Sequence, residues 1–383
     1  MNRMVNEFED IRPYSNSEIS EAMQRIVRNP LFDYVVKFLY PDLPIEDVKS
    51  KFRSINSAHS FQMEIMDYAI RNILEKSSSG LSYDGIQNIS QSKNYLFLSN
   101  HRDILLDSAI LQVILVANKH DSTEITFGDN LMNSEFIVDI GKSNKMFTLI
   151  RGGATREIFK NSGHTSKYIR YAINEKRQSV WIAQSNGRTK NGNDQTQQAV
   201  LKMLGMSGGH DFVQNFAGLN IVPTVISYEY DPCDFMKIRE IYLSRRQTYL
   251  KTENEDLNSV ITGIQQFKGK IHLVIAPPIS EEELRQIGEV PKNERIQNLA
   301  AFIDKRIYQH YKLWKTNYIA FDMLYGNSFK SNYATTEKAA FAEYMKKTLS
   351  EIEGDYSELE AIFLAIYANP VVNHLKTKGS GSN

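Results

Sequence analysis

Cysteine is almost absent: Cys233 is the only one in 383 residues, so an intrachain disulfide is excluded. A packed thiol in a reducing compartment is expected. A charge excess of either sign is absent too. The 45 basic and 45 acidic residues cancel, which removes a global field toward nucleic acid or an anionic surface and leaves such work to local patches. No run approaches the roughly 18 apolar residues of a membrane span. The segment Met1–Arg12 mixes acids and bases without an apolar core. The expectation is therefore a soluble or peripheral protein, cytoplasmic or on the inner face of a membrane. No internal repeat stands out, and neither a phosphate loop nor a dinucleotide fingerprint occurs in its strand and helix context. His59, His120, His164 and His210 are scattered without ligand spacing, so no metal is expected.

What is present suffices for a large core, since 42% of the residues are hydrophobic. Ser15 stands three residues before Glu18 at the head of a helical run to Val27, the pattern of a capping box. Pro30 then stops that helix. A second amphipathic run, Phe61 to Leu74, dissolves into Ser77-Ser78-Ser79-Gly80, so residues 1–80 are expected to be helical.

Short apolar runs follow at Tyr95–Ser99, Ile125–Phe127, Phe147–Ile150, Val180–Ala183, Ile221–Ser227 and Ile271–Ala276. Helical candidates at Leu105–Ala117, Lys167–Lys176 and Thr196–Leu204 separate some of them. This alternation predicts an α/β domain over residues 81–280, a mixed sheet flanked by helices. Beyond Pro277-Pro278 the pattern is helical again at Glu281–Gln286, Glu294–Tyr318 and Thr336–Tyr367, giving a helical region over 281–378. Its aromatic series Tyr308, Tyr311, Trp314, Tyr318 and Phe321 is expected to pack into the core, with a membrane interface or acyl chain as the other reading. Residues 379–383, Gly-Ser-Gly-Ser-Asn, read as a flexible tail.

The polar cluster Asn100-His101-Arg102-Asp103-Ile104-Leu105-Leu106-Asp107 carries the most chemistry. A buried strand delivers it onto a helix start, where backbone N–H groups point outward. A neutral His101 imidazole can take a proton from an alcohol if a carboxylate holds its tautomer and stabilises the cation. Asp103 and Asp107 are both candidates for that carboxylate, Asp107 the preferred one.

These residues resemble the first motif of the glycerolipid acyltransferase family, which includes the glycerol-3-phosphate and lysophosphatidate acyltransferases. In the family four residues separate the histidine from the aspartate, whereas five separate His101 from Asp107. Gly128-Asp129-Asn130-Leu131 resembles an element of the glycerol-3-phosphate branch. Phe147–Gly153, containing Arg151 and Gly152, resembles the second motif, whose arginine holds the acceptor's phosphate. Val180–Lys190 resembles the third, with Asn186 where the family has glutamate, followed by Gly187, Arg188 and Lys190. Asn220–Ser227 resembles the fourth, and its Pro223 is expected at a strand start, edge or bulge.

The resemblance implies transfer of an acyl group from acyl-coenzyme A or acyl-carrier protein to a glycerol phosphate, lysophospholipid or related lipid. No cofactor beyond that co-substrate is implied. His101 would be the base, with Asn100, Arg102, Arg151, Gly152, Asn186, Gly187, Arg188 and Lys190 around the substrate. Peripheral membrane contact through the helical flanks is expected. Two other readings compete. A lipid- or acyl-carrier-binding protein that lost turnover fits Asn186 and the longer histidine–aspartate spacing. A hydrolase using Ser207 fits Gly205-Met206-Ser207-Gly208-Gly209, although the run before it reads as helix where a nucleophile elbow needs a strand.

Overall fold

The computed structural model describes residues 7–132, 134–252 and 254–379. Its centre is a seven-stranded mixed sheet in the order β1-β7-β6-β2-β5-β3-β4. The strands are β1 (Gly80–Asp84), β2 (Leu96–Ser99), β3 (Glu124–Gly128), β4 (Met146–Leu149), β5 (Val180–Ala183), β6 (Ile221–Tyr228) and β7 (Lys270–Ile275). All neighbours pair parallel except β6 and β7. The mixed sheet expected from the sequence is thus the one observed. Strand β1 escaped the sequence reading because its residues are largely exposed and form no apolar run.

Alternation along the strands divides the core between the two faces. Leu96, Leu98, Val180, Ile182, Ile221 and Val225 pack with Ile169 and Ile173 of one helix and Leu299, Ile303 and Ile307 of another. Phe97, Trp181, Val222 and Ile226 face Ile110 and Ile114 on the other side. Separate clusters form around Phe32, Phe52 and Phe61 in the N-terminal helices and around Phe341, Phe363 and Tyr367 in the C-terminal ones. Since Leu299, Ile303 and Ile307 belong to the sheet's own cluster, the chain returns to the α/β core beyond residue 280. Residues 380–383 of the expected tail lie outside the described residues.

The capping box at Ser15 and Glu18 forms as the spacing predicts, Ser15 N donating to Glu18 Oε2 at 2.7 Å. Pro30 opens the next helix, Pro30–Leu39, whose cap is Asn29. The long C-terminal runs are broken: Arg295–His310 is followed by Lys315–Tyr325, and Thr335–Ser350 by Tyr356–Gly379. Pro223 corrects an expectation, because β6 is interior, between β2 and β7. Its carbonyl accepts from Ala276 N at 3.0 Å. A strand residue's N–H and C=O point the same way, so the missing donor faces chain that has already left β7. Among the described residues no helix is long and apolar enough to cross a membrane.

The helix Arg295–His310 also carries a pH-dependent contact. Asp304 accepts from Thr196 N at 2.7 Å, and burial pushes its carboxyl up from 3.8 to about 6. A carboxyl raised on folding binds its proton more tightly in the native state, so stability falls as pH rises through the window from 3.8 to about 6. Asp304→Asn keeps an acceptor without the charge. It should raise the Tm at pH 8, by an amount equivalent to about 2–3 kcal/mol, with no gain near pH 4. Thermal melts at both pH values check this, and a variant no more stable at pH 8 contradicts it.

Candidate active site

Four parallel strands, β2, β5, β3 and β4, end on one edge of the sheet, and the segments leaving them build a single cavity of about 250 Å³. Such a crevice at the carboxyl ends of parallel strands is where open α/β sheets place ligands. His101 follows β2, Asn130 and Leu131 follow β3, Arg151 follows β4, and Asn186, Gly187, Arg188 and Lys190 follow β5. Ile104, Ser108, Phe127 and Trp181 give the cavity an apolar wall.

His101 meets Asp107, not Asp103: its Nδ1 lies 2.9 Å from Asp107 Oδ2. The same oxygen accepts from Arg102 N at 2.5 Å and Asp103 N at 2.9 Å, and Oδ1 accepts from Tyr228 OH at 2.7 Å. Because its neighbours are donors, Asp107 serves as an acceptor and His101 Nδ1 carries the hydrogen. The neutral ring then keeps its lone pair on Nε2, and His101 borders the cavity. The extra residue between histidine and aspartate is absorbed because helix α1 (Leu106–Ala117) starts only at Leu106. Asp103 instead caps that helix, accepting from Leu105 N at 2.9 Å and Leu106 N at 2.8 Å. Burial, then the neighbouring Asp107, raises the Asp103 pKa.

Asn100 and Arg102 do not reach the cavity, contrary to the sequence expectation. Asn100 is fully buried and clips β2 to β6, Oδ1 accepting from Ile226 N at 2.8 Å and Nδ2 donating to Ile226 O at 3.0 Å. Arg102, also buried, pairs with Asp194 at 2.7 Å and Asp231 at 2.8 Å and lies over the Tyr311 ring. Its side chain turns inward because its backbone N–H is fixed on Asp107 while two buried carboxylates await a cation. Gly152 is exposed and lies outside the cavity lining.

The cations face the cavity under strain of desolvation. Arg151 Nε and Arg188 Nη1 are buried without a hydrogen-bond partner among the described residues. Burial lowers the Arg151 pKa, and Asp129 and Asp256 only partly oppose it. Lys190 contacts Glu240, yet burial and the neighbouring Lys251 and Arg188 bring its pKa down to about 8. Gly128 is required by close approach, since a Cβ there would stand 3.0 Å from Arg151 Cζ and 2.5 Å from Asn130 Oδ1. Gly192, at φ +76°, lets the loop after β5 meet the C-terminal helix, where a Cβ would sit 2.0 Å from Ile366 O.

Tyr228, Lys251 and Asp256 were missed by the sequence reading. Tyr228 sits one residue beyond the apolar run that marks β6, and Lys251 and Asp256 lie in a polar stretch with no motif. Ser207 bonds Ser166 Oγ at 2.8 Å and Arg170 Nε at 3.1 Å, and it follows the helix Gln198–Gly205, so it lacks the strand of a nucleophile elbow. Cys233 is buried, as expected, and burial pushes its thiol up to about 11. No group of three or more metal-ligating side chains gathers among the described residues.

The crevice at the ends of the parallel strands thus gathers a histidine–aspartate pair and two guanidinium groups, each with a buried nitrogen lacking a hydrogen-bond partner among the described residues. Residues 80–227 match the family model described as Acyltransferase. Among solved structures the chain is similar to the 1-acyl-sn-glycerophosphate (LPA) acyltransferase PlsC from Thermotoga maritima. The two are 11% identical with a TM-score of 0.39, and the match covers 76% of this chain and 92% of that one. Comparison with curated proteins gives no match.

Proposed function

We propose that the protein moves a fatty acyl group from a thioester, acyl-coenzyme A or acyl-carrier protein, to a hydroxyl of a glycerol phosphate, lysophospholipid or related anionic lipid. The observation that carries this reading is one cavity shared by the His101–Asp107 pair and by Arg151 and Arg188, each with a buried, unpartnered N–H. A guanidinium with a buried N–H left without a partner fits a phosphate through paired hydrogen bonds.

In the proposed reaction His101 Nε2 takes the proton of the acceptor hydroxyl as its oxygen attacks the thioester carbonyl. A tetrahedral oxyanion forms, and its collapse breaks the carbon–sulfur bond. The imidazolium, held by Asp107, returns the proton to the departing thiolate. No covalent enzyme intermediate is required. Lys190 and Asn186 border the same cavity and add donors beside the acceptor.

The test is incubation with labelled acyl thioesters and a panel of lysolipid, glycerol-phosphate and amino-lipid acceptors, followed by mass analysis of the products. Acylated anionic acceptor is the expected outcome. A second reading, lipid binding without turnover, rests on the Asn186 amide at the cavity wall and gains if thioester binds but no acceptor is acylated. Within the proposed reaction, Arg151→Ala should raise KM for a phosphate-bearing acceptor about 10–100-fold with a smaller change in kcat, measured against the KM for thioester. Equal effects on both substrates would remove Arg151 from the acceptor's phosphate.

A further inference from the structure

Strand β6 has eight residues and its neighbour β2 only four, and their register starts together, so the last residues of β6 run on past the carboxyl end of β2. Both edges of this overhang are held. Asn100 bonds both backbone groups of Ile226, and the antiparallel ladder with β7 continues to the final pair, Tyr228 opposite Ile271. Alternation places Val222, Ile226 and Tyr228 on the face that packs against Ile110 and Ile114 of helix α1. Tyr228, only 2% exposed, therefore meets the first turn of α1, where Asp107 stands.

The two oxygens of Asp107 are loaded unequally. Oδ2 meets Arg102 N, Asp103 N and His101 Nδ1, whereas Oδ1 accepts from Tyr228 OH at 2.7 Å. Contacts gathered on one oxygen make it a pivot, and because the terminal torsion of an aspartate is broad they leave the carboxylate plane free to turn. A donor on the far oxygen stops that rotation. The Arg102 guanidinium is directed to Asp194 and Asp231, so among the described residues His101 and Tyr228 are the side chains that hydrogen-bond this carboxylate. Burial, then the Asp107 and Asp103 charges, hold the Tyr228 pKa well above its ordinary value, and the phenol stays a donor.

We propose that Tyr228 is a positioning residue for acyl transfer: bonded to the oxygen of Asp107 that does not meet the imidazole, it fixes the carboxylate plane and through it the aim of His101 Nε2. This rests on the proposed reaction and deepens it by giving β6 a part in orienting the base. Tyr228 does not line the cavity, so it acts without touching substrate. A rigid ring seated between two strand ladders suits that task, because a partner that orients a catalytic group must itself be locked by its surroundings.

The test is Tyr228→Phe in the full-length protein, which removes the hydroxyl and keeps the ring in the core. Its kcat should fall about 10–50-fold, with KM for thioester and acceptor within about twofold of wild type. In a His101→Ala background, where no imidazole remains to be aimed, the same substitution should change the residual single-turnover rate by less than about twofold. The proton resonance of His101 Nδ1–H, identified by its loss in His101→Ala, should move in Tyr228→Phe. A ring-fluorinated tyrosine at position 228 keeps both ring and hydroxyl, so it should fold even where Tyr228→Phe does not, and its more acidic phenol should move the same resonance. Wild-type kcat in a folded Tyr228→Phe, a resonance that neither substitution moves, or an equal loss of rate with and without His101 would each overturn the inference. The resonance needs no turnover, so a wild type that acylates no acceptor refutes the proposed reaction while the Tyr228–Asp107–His101 arrangement is still tested.

Discussion

Replacing His101 with alanine is expected to lower kcat for acyl transfer by about 10²–10⁴-fold, the usual contribution of a positioned general base. The substitution removes the lone pair that faces the cavity. It also leaves Asp107 anchored, because that carboxylate still accepts from Arg102 N, Asp103 N and Tyr228 OH. The fold should therefore tolerate the change, and thioester binding, governed by the cavity walls, should persist. Single-turnover kinetics beside a binding titration separate the two quantities. His101→Ala that retains wild-type kcat would refute the general-base role. Loss of thioester binding would point to an alanine-induced collapse of the pocket instead.

The second large effect concerns stability. Arg102 is 1% exposed and binds Asp194 and Asp231, while Lys237 also contacts Asp231 and donates to Arg102 O at 2.9 Å. Burial opposes the guanidinium's charge, but Asp194, Tyr311 and Asp231 outweigh it and raise the Arg102 pKa well above its usual value. Arg102→Met should cost about 3–5 kcal/mol, because removing one partner strands buried carboxylates. Chemical denaturation measures this, and a cost below about 1 kcal/mol would show that Lys237 alone satisfies both acids. Activity should fall with stability, since Arg102 adjoins His101 and the network reaches the C-terminal helices through Asp231 N, which bonds Tyr367 OH at 3.0 Å.

The sequence by itself determined the parts of this protein that depend on local pattern. Apolar runs bounded by polar turns marked six of the seven strands, because a buried strand needs continuous hydrophobicity. Ser15 and Glu18 marked a helix start, because a capping box is a contact between near neighbours. His101 and Arg151 were legible because each follows a strand directly.

Only the tertiary structure decided which polar residues share a cavity. Asp103 and Asp107 are equally acidic, and the choice between them depended on where a helix begins and on Tyr228, which comes from β6. Arg102 lies in the same motif as His101, yet two acids more than ninety residues away draw it into the core. Lys251 and Asp256 joined the cavity through a loop whose composition carries no signal. In each case long-range electrostatics and packing overrode position along the chain, and neither can be read from residue order alone.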